Sequence, residues 1–309
     1  MKKILIINYK TQHCGIQQYG YNFGVVLQKY SKNLVEYLET DSVNEFLNFL
    51  NGRSYDYFIF NWLNIKMKWV DDNLLRQYSD TKKLFIFHDF NYPNIKSTHY
   101  ILHQDPTKTT NNINEFNLGR FLFDTTNQQK LSEKKIISSF GFAFFDKGFD
   151  YVVKKVNEEF QDSIIRLHLP YNTIVSEDKF MKKEIIKLCE LSNSNNNQLV
   201  ISENYMSNTE LLTWLSESTL NCFFYHNKPS LGISSVIDYA LSVNVPLAIT
   251  KCDMFRHICK DEILIEKNSL KEIIDRGTNP LIQFKKNWSG ENYGKNFDNI
   301  IDLLNKINY

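Results

Sequence analysis

Short apolar runs alternate with segments of helical pattern along most of this chain. The runs at residues 4–8, 57–61 and 84–88 are apolar at four positions and end in a polar residue. A strand buried on both faces reads as a continuous apolar run, and strands separated by helices pair in parallel through crossover connections. The alternation therefore predicts parallel βαβ units and an α/β fold.

The alternation stops in the middle of the chain and then resumes. Residues 105–134 are polar and rich in Asn, Thr and Gln, although residues 121–123 could form a short strand. We therefore predict two Rossmann-like domains, residues 1–130 and 131–309, with parallel sheets facing a cleft between their strand carboxyl ends. The last helix, from about residue 296 to 307, carries an apolar stripe and is expected to pack back across the domain boundary.

Composition excludes several classes of protein. Among 309 residues, 36 Lys and Arg balance 35 Asp and Glu, so no overall basic field favours nucleic-acid binding. The five cysteines are odd in number and irregularly spaced, which argues against a disulfide framework or a metal site. The apolar N-terminal run is too short for a signal peptide, and no run is long enough to insert into a membrane. These features predict a soluble, cytoplasmic protein without a bound metal.

A glycine turn in the segment 229–257 predicts an anion site. Gly232 is followed by Ser234 and Ser235, which open a helix, and an apolar strand comes next. The N–H groups at a helix start lack intrahelical partners, and the helix dipole favours negative charge there. The alternative is that Gly and Ser are present only because a turn and a helix cap require them.

Asp238 lies one turn into this helix. Its neighbours Ile237, Ala240 and Leu241 form the apolar face, which predicts that the carboxylate points away from the core. An outward carboxylate can accept hydrogen bonds from ribose hydroxyls, and a capping role is the alternative.

Several candidate residues lie where predicted strands end. His88 follows four apolar residues, and Arg256 follows the strand and turn near residue 250. Lys147 precedes Gly148 between a strand and a helix, where its charge suits a phosphate. Gly15 precedes the first helix and would let the backbone approach a ligand. The alternatives are a capping histidine, a surface arginine, a solvated lysine and an ordinary turn glycine.

Four segments stand out in order along the chain: CGIQQYGYNFGVVLQ at 14–28, FIFHDF at 85–90, IISSFGFAFFDKGFDYVVKKV at 136–156, and the segment 229–257. With these segments in this order, the chain resembles the GT-B glycosyltransferases, in particular the retaining kind of family 4. The four segments are similar to the family's first loop and helix, the strand ending in a His beside the acceptor, the start of the second domain, and the donor site.

The resemblance implies a glycosyltransferase, for hexosyl or related glycosyl transfer. It implies a nucleotide-diphosphate sugar such as a UDP-sugar as donor, no cofactor, no metal and retention at the anomeric carbon. The acceptor hydroxyl stays open: carbohydrate, lipid, nucleic-acid base or protein. The implied catalytic residues are His88, Lys147 and Arg256, and the implied donor-binding residues are Gly15, Lys147, Gly232, Ile233, Ser234, Ser235 and Asp238.

Two positions depart from the family pattern. Ser230 stands where a glutamate is common, and Phe142 where a basic residue is common. These departures favour the alternative of a non-catalytic GT-B-like protein that binds a nucleotide or a partner. A sugar-nucleotide epimerase on similar sheets is a third reading, but no G-x-G-x-x-G follows the first strand.

Overall fold

The computed structural model describes residues 1–11, 14–88, 99–110, 112–125, 133–171, 178–194, 196–229 and 232–307. Contacts between backbones divide the chain into two compact units. The first comprises Met1–Phe121 with Asn287–Tyr309, and the second comprises Leu122–Lys286. Ser230, one of the two departures, lies outside the described residues.

The first unit contains a six-stranded sheet in the order β2-β1-β3-β4-β5-β6, and every neighbouring pair is parallel. The central strands are buried along nearly their whole length, as their continuous apolar runs predict. The elements are β1 (Lys3–Asn8), α1 (Gly15–Tyr30), β2 (Leu34–Glu39), α2 (Val43–Leu50), β3 (Tyr57–Trp62), α3 (Asp72–Gln77), β4 (Lys82–Phe87), β5 (Tyr100–His103) and β6 (Glu115–Asn117).

The second unit contains a five-stranded parallel sheet in the order β11-β10-β7-β8-β9. Its core is formed by the inner faces of these strands and by helices packed on them. The elements are β7 (Ile136–Phe140), α4 (Phe149–Glu159), β8 (Ile164–His168), α5 (Asp178–Ser192), β9 (Gln198–Ser202), α6 (Asn208–Ser216), β10 (Leu220–Phe223), α7 (Val236–Ser242), β11 (Leu247–Ile249), α8 (Leu270–Arg276) and α9 (Ile282–Asn287).

The final helix, α10 (Gly290–Lys306), groups with the first unit and begins earlier than the predicted residue 296. A side chain at Gly294 would meet the backbone oxygen of Tyr30 at 2.6 Å, so glycine permits close contact with the end of α1. Asp298 then accepts hydrogen bonds from the Ser31 hydroxyl at 2.5 Å and the Lys32 N–H at 2.9 Å. The carboxylate thus binds the chain that leaves α1.

The prediction of two α/β units with parallel sheets is confirmed, but two details differ. Residues 121–123 form no strand, while β5 and β6 occupy positions where none was predicted. β6 has only three residues and lies within the polar segment 105–134, so its sequence carries no apolar run. Its strand conformation comes from pairing with β5.

Candidate functional site

The candidate residues lie at the carboxyl edges of the two sheets. In a parallel sheet all strands end at the same edge, where loops and helix starts collect. We call the group Asn8, Asn61, His88, Gln104 and Arg120 the first carboxyl edge, because these residues end or follow the strands of the first sheet. We call the group Lys147, Tyr225, Ser234 and Arg256 the second carboxyl edge, for the same reason.

Gly148 fixes the position of Lys147 in the second unit. Lys147 ends a single 3-10 turn, and Gly148 follows in the left-handed conformation with φ of 60° before α4 begins. A Cβ at Gly148 would lie 2.1 Å from the backbone oxygen of Phe224, just beyond β10. Only glycine allows this approach, which brings the loop after β7 against the chain after β10.

Lys147 rests on an aromatic ring. Its Nζ lies 3.9 Å from the centroid of the Tyr225 ring, a cation–π contact. Among the residues that the structure describes, no carboxylate forms an ion pair with this half-buried lysine. The charge of Lys147 is therefore available to an anion that binds here.

Tyr225 connects Lys147 to the predicted glycine turn. Its hydroxyl lies 3.3 Å from the Ser234 hydroxyl, and its ring packs against Phe255 with centroids 4.5 Å apart. Tyr225 is 3% exposed, so the ring is held by its neighbours. Two residues predicted separately for the donor site, Lys147 and Ser234, thus contact the same tyrosine.

Arg256 also contacts the glycine turn, through its guanidinium group. Its Nη1 donates to the backbone oxygen of Gly232 at 3.1 Å and to that of Asp253 at 2.8 Å. The backbone N–H of Ser234 donates to the oxygen of Met254 at 3.1 Å. The structure therefore brings Gly232, Ser234 and Arg256 together, but uses the Ser234 N–H and part of the Arg256 guanidinium within the protein.

α7 differs from the sequence prediction in the placement of Asp238. Ile233 and Ser235 are half-buried ahead of the helix, whereas Asp238 is only 3% exposed. The helix has seven residues and is buried from Ile237 to Leu241. The prediction that Asp238 points away from the core is wrong, because α7 is covered on more than one face. Its role towards ribose stays a prediction.

The first carboxyl edge is a continuous chain of hydrogen bonds. Arg120 donates to the Gln104 oxygen at 2.8 Å, and the Gln104 amide contacts His88 Nδ1 at 2.5 Å. His88 Nε2 contacts the Asn61 oxygen at 2.6 Å, and the Asn61 amide donates to the Asn8 oxygen at 2.9 Å. All except the half-buried His88 are buried, so each polar group gains from having a partner.

Backbone carbonyls fix the direction of this chain. The Asn61 amide also donates to the oxygen of Ile16, and the Asn8 amide donates to that of Gln17, both at 2.8 Å. Each side-chain oxygen therefore faces the next donor. His88 must then carry its proton on Nε2 and accept at Nδ1. The same two amides hold the first turn of α1, which begins at the exposed Gly15.

His88 is held neutral. Burial, and to a lesser extent the positive charge of Arg120, lowers the pKa of His88 to about 3. Tyr19 contributes a ring edge-on to the imidazole, with centroids 5.0 Å apart. Because both ring nitrogens bind protein groups, this arrangement suits a residue that positions its neighbours. The predicted catalytic role of His88 stays a prediction.

Sequence reasoning did not single out several of these residues. Asn8 and Asn61 are the polar residues that end buried runs, so their positions in the sequence were a usable signal. Tyr225 was hidden at the end of an apolar run, and Gln104 follows a strand that was not predicted.

Metal and membrane features are absent from the part of the chain that the structure describes. There, no three His, Cys, Asp or Glu side chains are placed to hold a metal ion. In the same ranges, no helix has the length and apolarity that crossing a membrane requires. Metal independence and a cytoplasmic location stay predictions.

Solved structures resemble this chain over nearly its full length. Anabaena HepE in complex with UDP and glucose has a TM-score of 0.70 at 10% identity, covering 99% of this chain and 100% of its own. A glycosyltransferase from Rickettsia africae has a TM-score of 0.65 at 12% identity, covering 99% of both chains. Sucrose-phosphate synthase from Thermosynechococcus elongatus has a TM-score of 0.62 at 12% identity, covering 98% and 95%.

These similarities confirm the GT-B fold that the sequence resemblance implied. Neither a protein-family model nor a curated protein sequence matches the chain.

Proposed function

We propose that the protein is a glycosyltransferase that moves a sugar from a nucleotide-diphosphate sugar to a hydroxyl group of an acceptor. The second unit binds the donor and the first binds the acceptor. UDP is the proposed nucleotide, because the similar HepE structures contain UDP and UDP-glucose. Retention at the anomeric carbon and independence of metal are part of the proposal.

The observation that carries this proposal is Lys147. It is a half-buried cation at a strand carboxyl edge, rests on Tyr225, and forms no ion pair within the described ranges. In glycosyl transfer the bond from the anomeric carbon to the diphosphate oxygen breaks, and the acceptor oxygen forms the new bond and loses its proton. The departing diphosphate gains negative charge, which a preorganised ammonium stabilises.

The other predicted donor-binding residues have the following roles in the proposal. Gly232, Ile233 and Ser235 supply the backbone of the phosphate turn, and Arg256 keeps that turn in place through the Gly232 carbonyl. Asp238 would reach the ribose only if the start of α7 opened. Gly15 would let the donor approach the start of α1, and His88 would orient groups near the acceptor.

A second candidate is a non-catalytic protein that binds a nucleotide. It is favoured by the commitment of polar groups to internal bonds: the Ser234 N–H binds the Met254 oxygen, and both ring nitrogens of His88 are occupied. Such a protein would use Lys147 to bind a diphosphate without turning over a sugar donor.

Calorimetric titration with UDP, GDP, ADP and uridine tests the proposal, together with an assay of UDP release from UDP-glucose. We expect a nucleoside diphosphate to bind and uridine to bind far more weakly, with slow release of the nucleotide from its sugar donor. Tight binding without turnover on any acceptor supports the second candidate. If no nucleoside diphosphate binds, both candidates are wrong.

A further inference from the structure

We propose that Tyr225 is a positioning residue that holds the Lys147 ammonium in place for the donor diphosphate, before and after the ligand binds. This inference rests on the proposed function. Tyr225 contacts both sides of the phosphate site, since its ring lies under Lys147 and its hydroxyl faces the Ser234 hydroxyl.

A ring is a suitable support for a phosphate-binding lysine. The ammonium carries three N–H donors, and a contact to one ring face leaves donors pointing away from the ring. A carboxylate partner would instead neutralise the charge and compete with the phosphate. With Nζ 3.9 Å from the ring centroid, Lys147 is held without losing the charge that a diphosphate needs.

The ring itself is fixed before any ligand arrives. Phe255 packs against it at 4.5 Å between centroids, and Phe255 is fully buried. The Tyr225 backbone oxygen also accepts a hydrogen bond from the Thr250 hydroxyl at 2.7 Å. A free lysine side chain samples many rotamers and loses that freedom on binding. Tyr225 restricts Lys147 in advance, so binding the diphosphate orders less of the protein.

Nuclear magnetic resonance of ¹³C-labelled lysine tests the contact directly. The ε-methylene protons of Lys147, assigned by their loss in Lys147→Arg, should resonate upfield because of the Tyr225 ring current. They should stay upfield when UDP saturates the protein and in Tyr225→Phe, and move to ordinary values in Tyr225→Leu. If UDP moves them to the values seen in Tyr225→Leu, the ammonium leaves the ring and the proposal is wrong.

Binding affinities test the consequence. Tyr225→Leu should raise the Kd for UDP about 3- to 30-fold, the range for a partly buried cation–π contact. Lys147→Ala should also raise the Kd for UDP by a factor at least about threefold smaller in the Tyr225→Leu variant than in the wild type. Equal effects of Lys147→Ala in both backgrounds would overturn the proposal.

A second lysine–tyrosine pair provides the matched control. Lys182 lies over the ring of Tyr171 at 3.0 Å and forms an ion pair with Glu203 at 2.6 Å, so its charge already has a carboxylate partner. None of these three residues belongs to the group Lys147, Tyr225, Ser234 and Arg256. Tyr171→Leu should leave the Kd for UDP unchanged. A rise similar to that of Tyr225→Leu would show that the loss of affinity in Tyr225→Leu does not arise from the contact with Lys147.

Tyr225→Phe retains the ring, so it keeps the test valid if Tyr225→Leu does not fold. Absence of UDP binding to the wild type would instead reject the proposed function.

Discussion

The two carboxyl edges of this protein each hold a cation, but they differ in the side chains that bind it. At the first edge, Arg120 begins a chain of hydrogen bonds that runs through Gln104, His88 and Asn61 to Asn8. At the second edge, Lys147 lies on the face of the Tyr225 ring, and no carboxylate in the described ranges pairs with it. The polar side chains of the first edge bind one another, whereas the Lys147 ammonium at the second edge can bind an anionic ligand.

This comparison distinguishes polar side chains that stabilise the fold from a polar side chain that can bind a ligand. The buried amide network at the first edge gives its side chains hydrogen-bond partners and holds the first turn of α1 through the Ile16 and Gln17 carbonyls. A cation on an aromatic ring keeps N–H donors for a ligand. We therefore expect mutations at the first edge to affect stability, and mutations at the second edge to affect diphosphate binding.

The largest expected effect is that of Gly148→Ala. The new Cβ would lie 2.1 Å from the Phe224 backbone oxygen and would also strain a φ of 60°. We expect a loss of about 3–5 kcal/mol in the free energy of unfolding, from overpacking and backbone strain together. Urea unfolding of the variant and of the wild type measures this difference in the free energy of unfolding.

Gly52→Ala is the matched control for Gly148→Ala. Gly52 has a φ of 73° and no atom within 4 Å of an added Cβ, so only the backbone strain remains. A loss of about 1–2 kcal/mol is expected there. Similar losses in the two variants would mean that the contact with Phe224 does not constrain the second edge.

Asn61→Leu should break the closed network. Its amide donates to Asn8 and Ile16 and its oxygen faces His88, so leucine leaves three polar groups without this partner. We expect a loss of about 2–4 kcal/mol in the free energy of unfolding.

Asn221→Leu is the control in the second sheet. Asn221 is equally buried, but its oxygen accepts no hydrogen bond from described residues and its amide makes one long contact of 3.5 Å. The free energy of unfolding should stay within about 1 kcal/mol of the wild type or rise. A loss as large as that of Asn61→Leu would refute the distinction between network and isolated amide.

Lys147→Ala should weaken UDP binding by about 1.5–3 kcal/mol, which is the range for a hydrogen bond to a charged group. The Kd would rise about 10- to 150-fold, measured by calorimetry, while the Kd for uridine stays the same. Lys251→Ala removes an exposed lysine just after β11 and should leave both values unchanged. Equal UDP affinities of wild type and Lys147→Ala would remove Lys147 from the site.

The smallest expected effect concerns pH. The pKa of His88 is lowered to about 3 in the folded protein, against about 6.5 when unfolded, so between these values the unfolded state binds a proton that the folded state does not. Stability therefore falls as the pH falls through this window. From pH 7 to 5.5 the His88 contribution is about 1 kcal/mol.

His88→Gln should remove this part of the pH dependence. The glutamine amide does not titrate and can still donate to Asn61 and accept from Gln104. Urea unfolding at pH 7 and pH 5.5 should show a smaller loss for the variant than for the wild type. Parallel losses would mean that His88 takes up a proton equally in the folded and unfolded states, so folding would not lower its pKa.

Much of the fold could be predicted from the sequence, because each central strand is a continuous apolar run that ends in a polar residue. Residues 4–8, 57–61 and 84–88 mark three strands of the first sheet and end in groups of the first edge. β5 and β6 were missed because strands of four and three residues carry too little pattern.

From the sequence, the candidate site could be predicted only at positions where a glycine marks a turn of the backbone. Gly148 beside Lys147, and Gly232 before a helix, marked two loops of the second edge. The contact of Tyr225 with Lys147 could not be predicted, because a tyrosine that ends an apolar run is typical of a core residue. The burial of Asp238 was missed because a helical-wheel argument assumes one solvent face, and α7 is buried from residue 237 to 241.

Hydrogen–deuterium exchange with and without saturating UDP tests most directly whether the second edge is the diphosphate site. UDP should slow exchange of the amides in residues 141–148 and 232–236, and this protection should be lost in Lys147→Ala at equal nucleotide concentration. UDP that binds the wild type while both segments exchange as fast as in the free protein would contradict the account.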